Sequence, residues 1–558
     1  DIPHLVRRLK HYKKLSPLGI VRRPPKGGNG YKACDQPILG RIVFDTAGMS
    51  KDGTGFERVW QDSGKGQLPS RKLSYIAELL GLGSKHDVDA SDWTIWEGTH
   101  PDISFNDYVD YCVQDTLLLK KIDESRHVLG YFLAMQKLCG VSFDATHNVT
   151  RFARGLMARR TNLKPRSYER MERPDYMGAH VPAPIPGIYD DVGCFDYKGL
   201  YPSIIASHNL CWTTKADAPG NNIKTLENGT HWRQDKKGLL PTIVEEMFEL
   251  RAQYKHLMNS SKTPEERDGW NTMQMAVKRT MASLYGMCAS PGWGWCDFDI
   301  AETITFEGRK SILLLMEKCV EFGYHPVYGD TDSVFCQLPK QHGISLAEKL
   351  TLSAQGELNA PNLIVEFELF MKKWIIVGKK TYYGIITWPL EDKGKPKAGR
   401  MGKIAGNSPL TNSVESDVLR MICEGASEIA VIEHLRPLCL SIIRGEIEVP
   451  QITLTNRITK NPDEYQKPIP AARAALFYND TMKDSKWYVP FVANDSVHWV
   501  YVNHSQTKYM CYRDIHELDE FEINWDQTLE VLVRNKLKNV FKATNWDLNR
   551  ATGGAVPK

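Results

Sequence analysis

A multidomain α/β fold is predicted by three observations. The chain has 558 residues, which at about 100–200 residues per domain means roughly three to five domains. From His325 to Phe335 two β-prone arms bracket a tight turn, and from Pro241 to Tyr285 apolar residues recur at intervals of three and four, so strands and long helices coexist. Hydrophobic residues at 42 % and charged residues at 25 % exclude a disordered or fibrous chain.

Taken in order, Asp1 to about Ser125 mixes short strand-like runs such as Arg41 to Asp45 with Gly- and Pro-rich loops such as Arg22 to Gly30, and reads as α/β. From Asp107 to Gly140, Val109, Cys112, Val113, Leu117, Leu118 and Ile122 follow the helical period, predicting a helical stretch. Two antiparallel helices are predicted between Pro241 and Tyr285. Ile243, Met247, Leu250, Tyr254 and Leu257 mark the first, Asn259 to Pro264 the break, and Met273, Val277, Thr280 and Leu284 the second, with Pro241 suiting a helix start. Strands are expected at His325–Phe335, Leu363–Phe367 and Trp374–Trp388, and helices near Val414–Ile422 and Leu529–Phe541.

The charge balance, 71 Lys and Arg against 67 Asp and Glu, does not by itself announce a polyanion partner, because a basic footprint needs clustering. One cluster exists. From Lys372 to Lys403 nine cations stand against two acids, +7 in all, which fits a solvated face or a nucleic-acid contact equally well. The 12 Cys form no C-x-x-C pair, so neither a zinc knuckle nor a disulfide framework is indicated, and a reducing compartment is expected. No apolar stretch reaches the ~18 residues of a membrane span, so no membrane partner is expected.

Acids mark the candidate chemistry. Gly329-Asp330-Thr331-Asp332 at a hairpin tip would expose two crowded carboxylates, whose repulsion a divalent cation relieves. A second acid, Asp196, ends a short apolar strand just before a helix opened at Pro202. Three carboxylates from two strand ends could hold two Mg²⁺ ions roughly 3.5–4 Å apart, and an all-oxygen set favours Mg²⁺ over Zn²⁺. On the helical hairpin Arg251 and Lys255 are spaced i, i+4, and Lys278, Ala282 and Tyr285 i, i+4, i+7, a cation set suited to a triphosphate.

These motifs together resemble a family B (polymerase-α-like) DNA polymerase. Asp196 to Ile205 is similar to motif A, Lys278 to Gly286 to motif B, and Tyr328 to Ser333 to motif C letter for letter. Chance agreement at all three in order is on the order of one in many millions. Tyr176 to Ala179 resembles the Y-x-G-G/A segment, Ile304 to Arg309 the I-T-x-x-G-R stretch, Lys379 to Tyr382 the K-K-x-Y motif and Thr453 to Tyr465 the start of the thumb.

The resemblance implies a right-hand architecture with an α+β palm built on an antiparallel sheet, helical-hairpin fingers, a mostly helical thumb and an RNase H-like exonuclease portion. The implied domains are 1–140 (partial 3′–5′ exonuclease), 141–213 and 290–412 (palm), 214–289 (fingers) and 413–558 (thumb). It implies catalytic Asp196, Asp330 and Asp332, with metal ligation by Asp196, Asp332 and the Tyr197 carbonyl. Nucleotide contacts fall to Tyr197, Leu200, Tyr201, Arg251, Lys255, Lys278, Ala282 and Tyr285, with Tyr201 stacking under the deoxyribose as a sugar gate. Lys379, Lys380 and Tyr382 would track the DNA backbone. The implied partners are primer-template DNA, dNTPs and a processivity factor, the cofactor is Mg²⁺ (two ions in the polymerase site, further divalent ions in an intact exonuclease site), and the location is intracellular. Three departures stand out: Gly199 for the usual Ser in motif A, Ala282 for the usual Asn in motif B, and Lys403 to Asn407 in place of an Arg-Arg-Asp run.

Tyr111-Cys112-Val113-Gln114-Asp115 resembles the third exonuclease motif, and the start at Asp1 the end of the second. The first would lie upstream, so the chain is expected to be an N-terminally truncated piece that proofreads poorly, from a parent that proofreads. Leu200 to Trp212 is similar to double-stranded DNA virus and eukaryotic replicative enzymes, and the absence of a Cys-rich C-terminal module favours a virus, with host nucleus or cytoplasm as the site of action. The rival is a catalytically silent polymerase-like DNA-binding subunit, which would be expected to lose one of the three aspartates.

Overall fold

The computed structural model describes residues 55–552 apart from 62–67, 69–72, 87, 89–92, 144–148, 162–173, 180, 292–293, 403–406, 486 and 494. Asp1, the run Arg41–Asp45 and most of the Lys403–Asn407 departure lie outside the described residues. In chain order the larger elements are helices α1 (Phe105–Arg126), α2 (Val128–Cys139) and α3 (Val149–Arg160), strand β1 (Gly187–Tyr197), α4 (Leu200–Ser207), strands β2 (Lys215–Ala216), β3 (Ile223–Thr225) and β4 (His231–Arg233), α5 (Leu239–Ser260), α6 (Pro264–Cys288) and α7 (Phe298–Glu321). There follow β5 (His325–Asp330), β6 (Ser333–Gln337), α8 (Gly343–Glu357), β7 (Val365–Gly378), β8 (Thr381–Trp388), β9 (Pro396–Ala398), α9 (Pro409–Glu424), α10 (Glu428–Ile443), β10 (Leu454–Arg457), α11 (Pro470–Thr481), β11 (Ser496–Tyr501), β12 (Tyr509–Tyr512) and α12 (Asn535–Thr544).

The chain forms two compact units. The first holds the described residues of Asp1–Gly178, Gly199–Gly308 and Asn359–Leu363, the second Ala179–Lys198, Arg309–Leu358 and those of Ile364–Lys558. One cut falls within α7, whose residues through Gly308 belong to the first unit and from Arg309 to the second.

In the first unit, α1 opens on a capping box: the Ser104 side chain accepts from the Asp107 N–H, and Asp107 reaches back to the Ser104 N–H. The single helix expected through Gly140 is broken at His127, whose φ of 50° ends α1. Along its apolar positions Leu118 and Ile122 are buried, while Val109, Val113 and Leu117 stand 41–51 % exposed. The α5–α6 hairpin forms as expected. The Tyr254 and Trp270 rings stack at 5.8 Å and the Arg251 Nε donates to Gln274 Oε1 at 3.2 Å, a pairing that runs antiparallel. Thr263 caps α6 by accepting from the Glu266 N–H, with Pro264 in its first turn, while α5 begins two residues before Pro241, at Leu239.

The second unit is organised on a six-stranded sheet of order β5-β6-β1-β7-β8-β9, antiparallel at every pairing. The two expected runs at Leu363–Phe367 and Trp374–Trp388 resolve differently, since the 14-residue β7 joins them and the turn falls at Lys379-Lys380. Phe335 and Trp374 stack at 4.8 Å in its core, with Tyr328 and Tyr382 beside them. The C-terminal part is mostly helical, as expected, but also carries the sheet β10-β11-β12, which sequence reasoning missed.

Candidate active site

Register gathers the acids. Asp196 at the end of β1 pairs with Ser333 of β6, which pairs with Asp330 of β5, and on its other side Asp196 pairs with Glu366 of β7. Residues in one cross-strand row share a sheet face, so Asp330, Asp196 and Glu366 lie along one edge of one face. Asp332 sits in the two-residue link between β5 and β6. Its carbonyl accepts from the Tyr197 N–H at 2.9 Å and its own N–H donates to the Asp330 carbonyl at 2.6 Å. Its neighbour Thr331 has φ 63°, a left-handed conformation that a β-branched residue rarely adopts and that concentrates at functional turns.

The tip is less bare than expected. The Asp330 side chain is only 12 % exposed, and the Lys380 ammonium, arriving from the β7–β8 turn, ion-pairs with it and reaches Thr331 Oγ1 at 3.3 Å. Asp332 is exposed. Even so, the protein packed around its carboxyl, and secondarily the charge of Asp330, hold it above the ordinary carboxylate range. Glu368, extra to the register where β7 slips past Cys194 and Phe195, adds to that field; it accepts from the Lys397 Nζ at 2.8 Å and the Cys194 Sγ at 3.5 Å. Glu366 and Glu368 were not singled out in the sequence, although the Glu-Phe-Glu alternation was a signal.

Among the described residues no group of three or more His, Cys, Asp or Glu side chains is close enough to hold a metal ion by itself. Mg²⁺ is ordinarily held by one or two carboxylates together with substrate phosphates. Asp196 and Asp332, brought together where the Tyr197 N–H donates to the Asp332 carbonyl, fit that mode. Tyr197 could take part only through its backbone, because its ring is buried and its hydroxyl donates to the Ser311 carbonyl at 3.2 Å.

Within the first unit, the rings of Tyr201 and Tyr285 meet at 4.8 Å. Lys278 and Ala282 are exposed, and Arg251 and Lys255 half-buried. The Leu200 side chain is buried, so a nucleotide contact there is confined to its backbone. The Gly199 departure has a physical reason: φ is 66° where α4 begins, and a Cβ would meet the Phe248 ring at 3.4 Å.

The basic run is also corrected. Lys372, Lys373, Lys380, Lys395 and Lys397 are each paired with an acid, which leaves less free positive charge than the count of +7 suggested. Lys379 is exposed. Tyr382 is 8 % exposed, packed at 5.2 Å from Phe335, so its side chain supports the turn from the core and does not reach out to a ligand.

Tyr111 and Asp115 lie on α1 and share one cation, missed in the sequence: Lys85 Nζ is 3.4 Å from Asp115 Oδ2 and 4.7 Å from the Tyr111 ring centre.

The second unit thus carries an antiparallel sheet with acids at its strand ends, and the first a helical hairpin carrying cations. The family model described as DNA polymerase family B matches residues 116–543, and the chain belongs to that family. It is 26 % identical over 518 residues to the DNA polymerase delta catalytic subunit of Caenorhabditis elegans, covering 84 % of this chain and 46 % of that one. It is 26 % identical over 398 residues to DNA polymerase 1 of Pyrococcus abyssi, covering 68 % and 49 %. The chain thus spans about half the length of these relatives. The solved family B DNA polymerase from Pyrobaculum calidifontis superposes with a TM-score of 0.65 at 17 % identity, over 100 % of this chain and 69 % of that one, a likeness of fold.

Proposed function

We propose that the chain carries out template-directed DNA synthesis, adding deoxynucleotides from dNTPs to a primer 3′-hydroxyl and releasing pyrophosphate. The observation that carries this reading is the carboxylate corner: Asp196 ends β1, and the N–H of the next residue, Tyr197, donates to the carbonyl of Asp332 in the adjoining β5–β6 turn, bringing motifs A and C together within a family B polymerase fold. A silent subunit is disfavoured, since all three aspartates are present and two of them are in register.

Asp196, Asp332 and the Tyr197 carbonyl would hold two Mg²⁺ ions, which when bound supply Lewis-acid charge to the oxygens of phosphoryl transfer. Asp330 keeps Lys380 anchored at the corner. Arg251, Lys255 and Lys278 bind and neutralise the triphosphate, contributing electrostatic stabilisation as charge develops. Tyr201, backed by Tyr285, stacks on the deoxyribose and rejects a 2′-hydroxyl. Lys379 contacts the phosphate backbone of the primer-template duplex, positioning it without reading sequence. In this reading 141–213 and 290–412 form the palm, 214–289 the fingers and 413–558 the thumb, while Tyr111 and Asp115, with Lys85, belong to a 3′–5′ exonuclease site in 1–140 that would take further divalent ions. A processivity factor and an intracellular, virus-encoded setting complete the proposal.

Extension of a primed DNA template with dNTPs, compared with rNTPs, tests it. Incorporation confined to dNTPs is expected, and Asp332→Ala is expected to lower the rate by about a thousandfold or more with an unchanged circular dichroism spectrum. Extension at the normal rate by Asp332→Ala would sink the assignment.

A further inference from the structure

We infer that Gly308 is a positioning residue for sugar selection: by carrying no side chain it sets where the Tyr201 ring rests. Gly308 is buried on α7, and a Cβ built there would stand 3.1 Å from Tyr201 Cε1, 3.7 Å from Leu200 Cδ2 and 3.8 Å from Ile204 Cδ1. The first distance is shorter than a carbon pair tolerates at its optimum of about 3.5–4.0 Å, so the neighbour must give way. Leu200 and Ile204, buried at 3 % and 0 % exposure, would be in ordinary van der Waals contact at 3.7 and 3.8 Å, so the crowding falls on the half-buried Tyr201 ring. Its ring also meets Tyr285 at 4.8 Å, so a displacement at Gly308 changes the Tyr201–Tyr285 pair as well.

The inference rests on the reading of Tyr201 as the sugar gate. Discrimination against one hydroxyl depends on ring placement at the scale of tenths of an ångström, because repulsion rises steeply inside contact distance. A displaced ring stacks less well on deoxyribose. The dNTP loses more than the rNTP, which is already excluded, and the ratio of their specificity constants falls.

Steady-state kcat and KM for dATP and ATP on a primed template would be measured for the unsubstituted chain, Gly308→Ala, Tyr201→Ala and the double variant. Gly308→Ala is expected to lower the dATP:ATP ratio of kcat/KM by at least about threefold, mainly through a higher KM for dATP, and to have no effect on the ratio in the Tyr201→Ala background. Alanine favours a helix over glycine, so a general loss of stability is not the expected cause. If Gly308→Ala alone fails to fold, recovery of the fold in the double variant supports the contact, and failure of both overturns it. A Gly308→Ala ratio within twofold of the unsubstituted value, or above it, while Tyr201→Ala lowers the ratio, overturns this inference and leaves the gate intact; an unchanged ratio for Tyr201→Ala overturns the gate itself.

Discussion

Glu517 and Asp332 belong to the same compact unit and are held in opposite ways. Glu517 is 4 % exposed, and its oxygens accept from the Tyr478 hydroxyl at 2.7 Å, the Ser485 hydroxyl at 2.6 Å and the backbone N–H groups of Arg513 and Asp514 at 2.8 and 3.2 Å. Arg513 continues the network, lying 3.6 Å from the Phe491 ring centre and donating to Asp495. Asp332 has a partly desolvated carboxyl crowded by Asp330, offset in part by its own backbone N–H and by the charge of Lys380. A carboxylate that receives four donors is a fastener, and one left with excess negative charge is ready for a cation.

Substitution separates the two. Asp332→Ala should remove activity and keep the fold, whereas Glu517→Ala should keep activity per folded molecule and remove stability. It strands two hydroxyls and two N–H groups, at a cost of about 3 kcal/mol. A melt should show the midpoint falling by roughly 6–12 °C, and an unmoved midpoint would undo the contrast.

A pair of lysines sharpens it further. Lys379→Met, at the exposed tip, should weaken primer-template binding and lower the slope of log K against log salt by about one unit, as fluorescence anisotropy across a KCl series would read. Lys380→Met should also depress kcat by roughly tenfold, since its ammonium balances Asp330. Equal behaviour of the two variants would mean that Lys380 acts on DNA alone.

The smallest effect concerns pH. Because the folded protein holds the Asp332 carboxyl above its ordinary value, the folded state binds its proton more tightly than the unfolded chain does. Its contribution to stability is therefore intact below the unfolded value of about 3.9 and is lost as pH rises through the folded one. In metal-free buffer at pH 7, Asp332→Asn should melt about 1–3 °C higher than the unsubstituted chain, and the difference should close toward pH 3. A variant that melts lower at pH 7 would show that the carboxylate stabilises the corner.

Much of this was legible without coordinates. Tyr328 to Ser333, Asp196 and the helical hairpin were recognisable because tight turns, strand ends and helix periodicity are local properties written in consecutive residues. Glu366 and Lys380 were not visible as members of the corner, because membership depends on strand register and on a turn from another hairpin. Nor was the exposure of Val109, Val113 and Leu117 on α1 legible, because periodicity tells which residues share a face and says nothing about whether anything covers it.

The family, the order of the motifs and the identity of the acids can be read from residue order, since each is carried by short contiguous stretches. Folding alone brings acids into one row, pairs Lys380 with Asp330, turns Tyr382 and Leu200 toward the core and lays Gly308 against Tyr201. Those facts depend on pairings between residues distant in the chain, where packing and register, set by the whole unit, choose the neighbour.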